Sequence, residues 1–246
     1  RITGTNGDDT LNLESITLGY GSSITLGGGD DELVLGGSGG ASISTGDGND
    51  SIHVLGELSG DWDWQADKVI LKNTVDTGAG DDRITVEGAV SSIIIDTGSG
   101  NDVLVLGNGV SNSNIDMGAG NDIVKIDASN QDYGYWSYDR APYDSVIDGG
   151  ASEVDKDAGR LGDVLSFSAG DAKNWCAYFE GLSENGNTIK NFDALHLDLS
   201  NDKQDVLNLD SLLGQINVLQ SEGQFSSIII TGDKDDMALL NSCVCT

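Results

Sequence analysis

Six short clusters along the chain each end on an aspartate: Asp9, Asp31, Asp50, Asp82, Asp102 and Asp122. A second acid or an amide precedes each one, at Asp8, Asp30, Asn49, Asp81, Asn101 and Asn121. Glycines stand just before them, at Gly7, Gly29 and Gly48, and as the pairs Gly78/Gly80, Gly98/Gly100 and Gly118/Gly120. Carboxylates, side-chain amides and backbone carbonyls are hard oxygen donors, and glycine lets a backbone curl so that its carbonyls can be aimed. This is the chemistry of Ca2+, which takes about six to eight oxygens at about 2.3–2.6 Å. The clusters contain neither His nor Cys, which argues against zinc and copper. A carbonyl cage also suits Mg2+ poorly, because that ion keeps a tight octahedron with waters.

The whole chain has the same bias. Acidic residues number 41 against 12 basic ones, for a formal charge of −29. That excludes nucleic acid, whose phosphates need Lys and Arg, and an anionic membrane surface. It favours cations as partners. No apolar run approaches the ~18 residues of a membrane span. With 35 glycines and one proline, glycine serves backbone shape rather than disorder. Arg1 is not an initiator Met and no signal-peptide pattern follows it, so the chain reads as a piece or a processed form of something longer.

The spacing says which elements carry the clusters. From Asp9 to Asp122 the steps are 22, 19, 32, 20 and 20 residues. The base period is about 20, with about 12 extra residues in the long step. Each unit has a short alternating strand (Arg83–Val86), a glycine-containing turn (87–92), a second strand (Ile93–Asp96) and the acidic turn. Two strands and two turns per period make one flattened coil that cannot bury its apolar side alone; stacked coils can, about 4.8 Å apart. The expected fold is therefore all-β: a parallel β-roll or β-solenoid with Ile84, Val86, Leu104, Leu106, Val124 and Ile126 inside, or their one-off neighbours. Stacking places the acidic turns in one column, where like charges repel unless a cation lies between them. Two aromatic-rich inserts are expected to leave the roll at 56–68 and 127–144.

These turns resemble the RTX (repeats-in-toxin) nonapeptide Gly-Gly-x-Gly-x-Asp-x-U-x, in which U is a large apolar residue. TGAGDDRIT (77–85), TGSGNDVLV (97–105) and MGAGNDIVK (117–125) align with it, as do 4–12, 26–34 and 45–53. The resemblance covers residues 2–168. It implies a right-handed parallel β-roll, calcium-driven folding, and export by type I secretion to the cell surface or beyond. Two departures stand out. The first glycine is Thr or Met in later units, and the opposite turns (36–42, 87–92, 107–113) lack acids apart from Glu87. One calcium column is therefore expected rather than two, with about five to seven ions. A variant seventh unit spans 148–168, with Asp163 as its terminal ligand and Asp155 and Asp157 beside it.

Residues 169–246 are expected to form a β-rich cap over the open end of the roll. TIKNFDALHLDLSNDKQDVLNLDSLL (188–213) and FSSIIITGDKDDMALL (225–240) resemble, more loosely, the C-terminal segment of large type I secreted RTX adhesins. A short helix near Ser211–Leu219 and a disulfide from Cys176 to Cys243 or Cys245 are compatible with that cap.

No catalytic residues are assigned. GGSGG (36–40) matches a nucleophile elbow formally but reads as a glycine-rich turn, and His53 and His196 read as structural. The expected function is that of a non-enzymatic extracellular calcium-binding module, structural or adhesive, in a surface adhesin, surface layer or filament. Its partners would then be calcium and further copies of itself. Two alternatives remain. One is a carbohydrate- or peptide-binding module that uses Trp62, Trp64, Tyr135, Trp136 and Tyr138 of the inserts against surface glycans. The other is a secretion and folding appendage to an upstream enzyme.

Overall fold

The structure is a computed structural model describing residues 1–63, 68–71, 73–127, 145–152, 161–168, 187–198, 225 and 227–231, with the backbone alone for 61–63 and 68–71. Its described residues are all-β. One sheet has eight strands, all paired in parallel, and a larger sheet is parallel throughout. In the first sheet Asn73–Asp76 lies between Ser42–Asp47 and Ile93–Asp96, and Asn114–Asp116, Val146–Asp148 and Thr188–Lys190 follow. In the second, Arg83–Val86 lies between Ser51–Val54 and Val103–Leu106, and Ile123–Asp127, Val164–Ser168, Ala194–Asp198 and Ser227–Thr231 follow. The chain alternates between the sheets through the acidic turn, so each period adds one strand to each.

Period-2 alternation makes this packing work. In the second sheet Leu33, Ile52, Ile84, Leu104, Val124, Leu165 and Leu195 stand in register, and Leu35, Val54, Val86, Leu106, Ile126, Phe167 and Leu197 form the next column. All of them are buried. Ile24, Ile43, Val75, Ile95, Ile115 and Ile147 face them from the first sheet. The six residues expected inside are therefore inside. Fully burying one such side chain contributes about 1.5–3 kcal/mol, repeated at every step.

Opposite the acidic turn, Leu58–Ser59, Val90–Ser91 and Val110–Ser111 form a short third ladder. This corrects the first insert. Leu58 pairs with Val90 and is buried, so residues 56–59 belong to the repeating path. Ser59 pairs with Ser91 and Asn73 with Ile93, so 60–72 stand where Ser92 stands alone. Ser92 and Asn112 adopt positive φ at this corner, as do Gly21 and Gly40 in earlier periods. The insert leaves at that bend, where extra residues disturb no strand. Part of it is an antiparallel hairpin, Asp61–Asp63 with Lys68–Leu71. Residues 128–144 of the second insert lie outside the described residues, and Asp127, expected to open it, instead closes the strand Ile123–Asp127.

Neither sheet stops at residue 168. Thr188–Lys190 pairs with Val146–Asp148, and Ala194–Asp198 with Val164–Ser168. The expected cap therefore includes one further strand pair of the same kind, and Ser227–Thr231 adds one more strand to the second sheet. The short helix, the three cysteines, Asp155 and Asp157 lie outside the described residues. GGSGG also needs correction: Gly36–Gly39 end the strand Glu32–Gly39 instead of forming a turn. Ser38 is buried beside Asn73, 3.5 Å from its Oδ1.

Candidate metal centre

The acidic turn is held by three polar columns that differ in direction and exposure. The first contains the aspartates that close each cluster. The backbone amide of Asp9 donates to Asp31 Oδ1 (2.8 Å), that of Asp31 to Asp50 Oδ1 (2.8 Å), and that of Asp50 to Asp82 Oδ1 (2.8 Å). The amides of Asp82, Asp102 and Asp122 donate in the same way to Asp102, Asp122 and Asp163 (2.8, 2.8 and 2.9 Å). Each carboxylate thus spends one oxygen on the preceding period. The other oxygen, Oδ2 of Asp31, Asp50, Asp82, Asp102, Asp122 and Asp163, is buried and has no hydrogen-bond partner among the described residues.

Such a stack is electrostatically unfavourable by itself. Burial, opposed by the Asp50 amide and the nearby Thr77 hydroxyl and aided by the Asp102 and Asp50 charges, pushes Asp82 up to about 7. Burial likewise raises Asp122 to about 7 and Asp163 to about 6, and it raises Asp31 and Asp102. Unpartnered buried carboxylate oxygens at every period are what a cation of oxygen chemistry would satisfy. The donor set therefore fits Ca2+. Among the described residues no three His, Cys, Asp or Glu side chains converge on one point. Backbone carbonyls would have to complete any coordination shell.

The glycines make the close stacking possible. A Cβ on Gly80 would collide with the Gly48 carbonyl, one on Gly100 with that of Gly80, and one on Gly120 with that of Gly100. The first-glycine carbonyls are already engaged: those of Gly78, Gly98 and Gly118 accept the amides of Ser99, Ala119 and Ala151. No backbone amide among the described residues donates to the carbonyls of Gly48, Gly80 or Gly100, so these carbonyls keep an acceptor to offer. Thr in place of the first motif glycine also has a role. Thr77 Oγ1 donates to the Thr97 carbonyl (3.1 Å) and Thr97 Oγ1 to the Met117 carbonyl (2.8 Å).

The second column contains the residues that precede the buried aspartates. It runs the opposite way. The amides of Asp30, Asn49, Asp81, Asn101 and Asn121 donate to side-chain oxygens of Asp8, Asp30, Asn49, Asp81 and Asn101 at 2.7–3.2 Å. Asn101 Nδ2 also donates back to Asp81 (3.0 Å). These residues, expected as metal ligands, form a hydrogen-bond ladder whose members are exposed from Asp8 to Asn101 and half-buried at Asn121. Gly7 and Gly29 flank its first members.

The third column was not singled out from the sequence. Asp76, Asp96, Asp116 and Asp148 are in register at the entrance to the turn. Their recurrence six residues before Asp82, Asp102 and Asp122 was the available signal. Asp116 and Asp148 accept the amides of Gly118 and Gly150 (both 3.1 Å). Lys190 ends the column with an ion pair to Asp148 at 2.5 Å, which with Asn191 lowers the Asp148 pKa against the effect of burial.

The histidines pair across strands. His53 Nε2 is 2.9 Å from Glu87, and His196 lies between Ser166 (2.9 Å) and Thr231 (2.8 Å). Of the aromatic candidates, Trp62 lies in the insert hairpin in register with Val69. Trp64, Tyr135, Trp136 and Tyr138 lie outside the described residues. No helix among the described residues is long and apolar enough to cross a membrane. No protein-family model, curated protein or solved structure matches the chain.

Proposed function

We propose that this chain is an RTX-type calcium-binding module: an extracellular, non-enzymatic β-roll that folds when it meets Ca2+ after export. One observation carries the reading, namely the column of buried Asp Oδ2 atoms that lack a partner at six successive periods. Bound calcium would supply the positive charge that this column lacks. The aspartates from Asp31 to Asp163 would hold it through Oδ2, with the carbonyls of Gly48, Gly80 and Gly100 nearby. Without the ion the carboxylates repel and a chain at −29 stays extended, a state suited to export. Extracellular calcium near the millimolar range matches the weak sites of extracellular modules, and ion binding becomes folding free energy. The stacked sheets would then act as a stiff structural or adhesive element of a larger surface protein, assembling with further copies or reaching surface glycans.

Calcium titration of the metal-free chain, followed by far-UV circular dichroism, tests this. Sheet signal that grows with calcium and collapses on chelation is expected. A spectrum indifferent to both would overturn the proposal.

A further inference from the structure

The last glycine-motif aspartate is Asp163, yet its column does not end there. The Asp163 amide donates to Asp193 Oδ2 at 3.1 Å, repeating the bond that links every earlier pair. The turn that carries Asp193, Lys190-Asn191-Phe192-Asp193, has no glycine and no repeat motif. It nonetheless occupies the same place between the sheets, with Thr188–Lys190 on one side and Ala194–Asp198 on the other. Phe192, 2% exposed, packs into the core and anchors it. Asn191 at positive φ makes the bend that glycine makes elsewhere.

Three further features converge here. Asp163 is fully buried and its Oδ2 has no partner. Ser152 Oγ donates to Asp193 Oδ2 at 2.5 Å. Gly162, at positive φ, leaves the space that the Asp193 carboxylate fills, since a Cβ there would collide with it. The neighbouring amide ladder also breaks at this step, and Asn121 Oδ1 is left buried without a partner among the described residues. Lys190, three residues before Asp193, is engaged by Asp148.

We infer that Asp163 and Asp193, with the Ser152 hydroxyl, form a terminal cation site that joins the repeat region to the C-terminal segment. It rests on the calcium reading above and differs from the repeating sites in its ligands: a hydroxyl and a glycine-free turn replace one glycine-carbonyl wall. The donors are all oxygen, so the ion is a hard divalent cation of calcium's class. The site sits where the motif-bearing coils give way to a sequence that no motif marks, so occupancy there couples the fold of 187–198 to that of the roll.

The test is calcium stoichiometry of the full chain by equilibrium dialysis, for wild type, Asp193→Asn and Ser152→Ala. Asparagine keeps an oxygen to accept the Asp163 amide but removes the charge, so the backbone bond survives. Asp193→Asn is expected to bind one calcium fewer than wild type, and Ser152→Ala to weaken one site about tenfold, as loss of a supporting ligand contact does. Wild type that binds no calcium would sink the function proposed above. Wild type that binds calcium while Asp193→Asn binds the same number would overturn this inference alone. If Asp193→Asn does not regain sheet at saturating calcium, Ser152→Ala decides: an unchanged isotherm overturns the site and one weakened class supports it.

Discussion

Two columns of aspartate line the same turn and behave oppositely. Asp82, Asp102, Asp122 and Asp163 at the exit are buried, whereas Asp76, Asp96 and Asp116 at the entrance are exposed. Both columns repeat once per period, so their like-charge spacing is the same. The difference is water. At the entrance, solvent screens the repulsion and Lys190 closes the end. At the exit, each carboxylate has given up water for one backbone amide, and its second oxygen has no hydrogen-bond partner among the described residues. Position in the fold, more than acid content, therefore separates the column proposed to hold a cation from the one that is not.

The largest test of this contrast is removal of the ion. Chelation should unfold the repeat region as a whole, because the buried column recurs at every period and neighbouring periods stabilise one another. Proton competition gives the sign. In the metal-free fold Asp82 and Asp122 titrate near 7 and Asp163 near 6, against 3.8 for an ordinary aspartate. Between about pH 4 and 7 the folded metal-free chain holds protons that the unfolded chain releases. Its stability therefore falls as pH rises through that window, and the penalty is complete above about 7. Calcium binding should run the other way and weaken as pH drops below about 7. Sheet content by circular dichroism from pH 5 to pH 8, with and without calcium, would show the two trends crossing: gained toward pH 5 without the ion and lost toward pH 5 with it. Parallel trends would break the contrast.

A single-site version is Asp102. Asp102→Asn keeps an acceptor for the Asp82 amide while removing a buried charge. It should stabilise the metal-free chain and weaken calcium binding at the two flanking sites, leaving distant ones nearly intact. Asp102→Ala also strands the Asp82 amide, at a cost of about 1–3 kcal/mol. Thermal melts with and without calcium separate the two variants. A stabilised metal-free Asp102→Ala would show that the amide bond contributes little.

Much of this was legible in the sequence, for a physical reason. The 20-residue recurrence of Ile84, Leu104 and Val124 and of Asp82, Asp102 and Asp122 is a one-dimensional record of stacking, and stacking is what the sheets do. What was missed departs from strict recurrence. Asp193 was hidden because its turn uses Asn191 and Phe192 in place of glycine. The start of the first insert was misplaced because Leu58–Ser59 is too short a strand to show alternation. The entrance aspartates Asp76, Asp96 and Asp116 stand one residue before the motifs at 77–85, 97–105 and 117–125, and earlier periods carry Thr25 and Ser44 at that position. Their partial exposure, rather than their identity, separates them from the exit column, and exposure is set by the pairing of strands about 20 residues apart.

The smallest effects belong to the exposed column, and they test the contrast from its other side. Asp96 is raised by partial burial and by Asp116 and Asp76, so its charge is a mild liability. Asp96→Asn removes that repulsion without emptying a buried site. Stability should therefore change by about 0.5 kcal/mol or less, in either calcium condition, as for surface substitutions generally. Calcium stoichiometry should be unchanged. If Asp96→Asn instead weakened calcium binding as Asp102→Asn should, the entrance column would be a ligand set as well, and exposure would cease to separate the two.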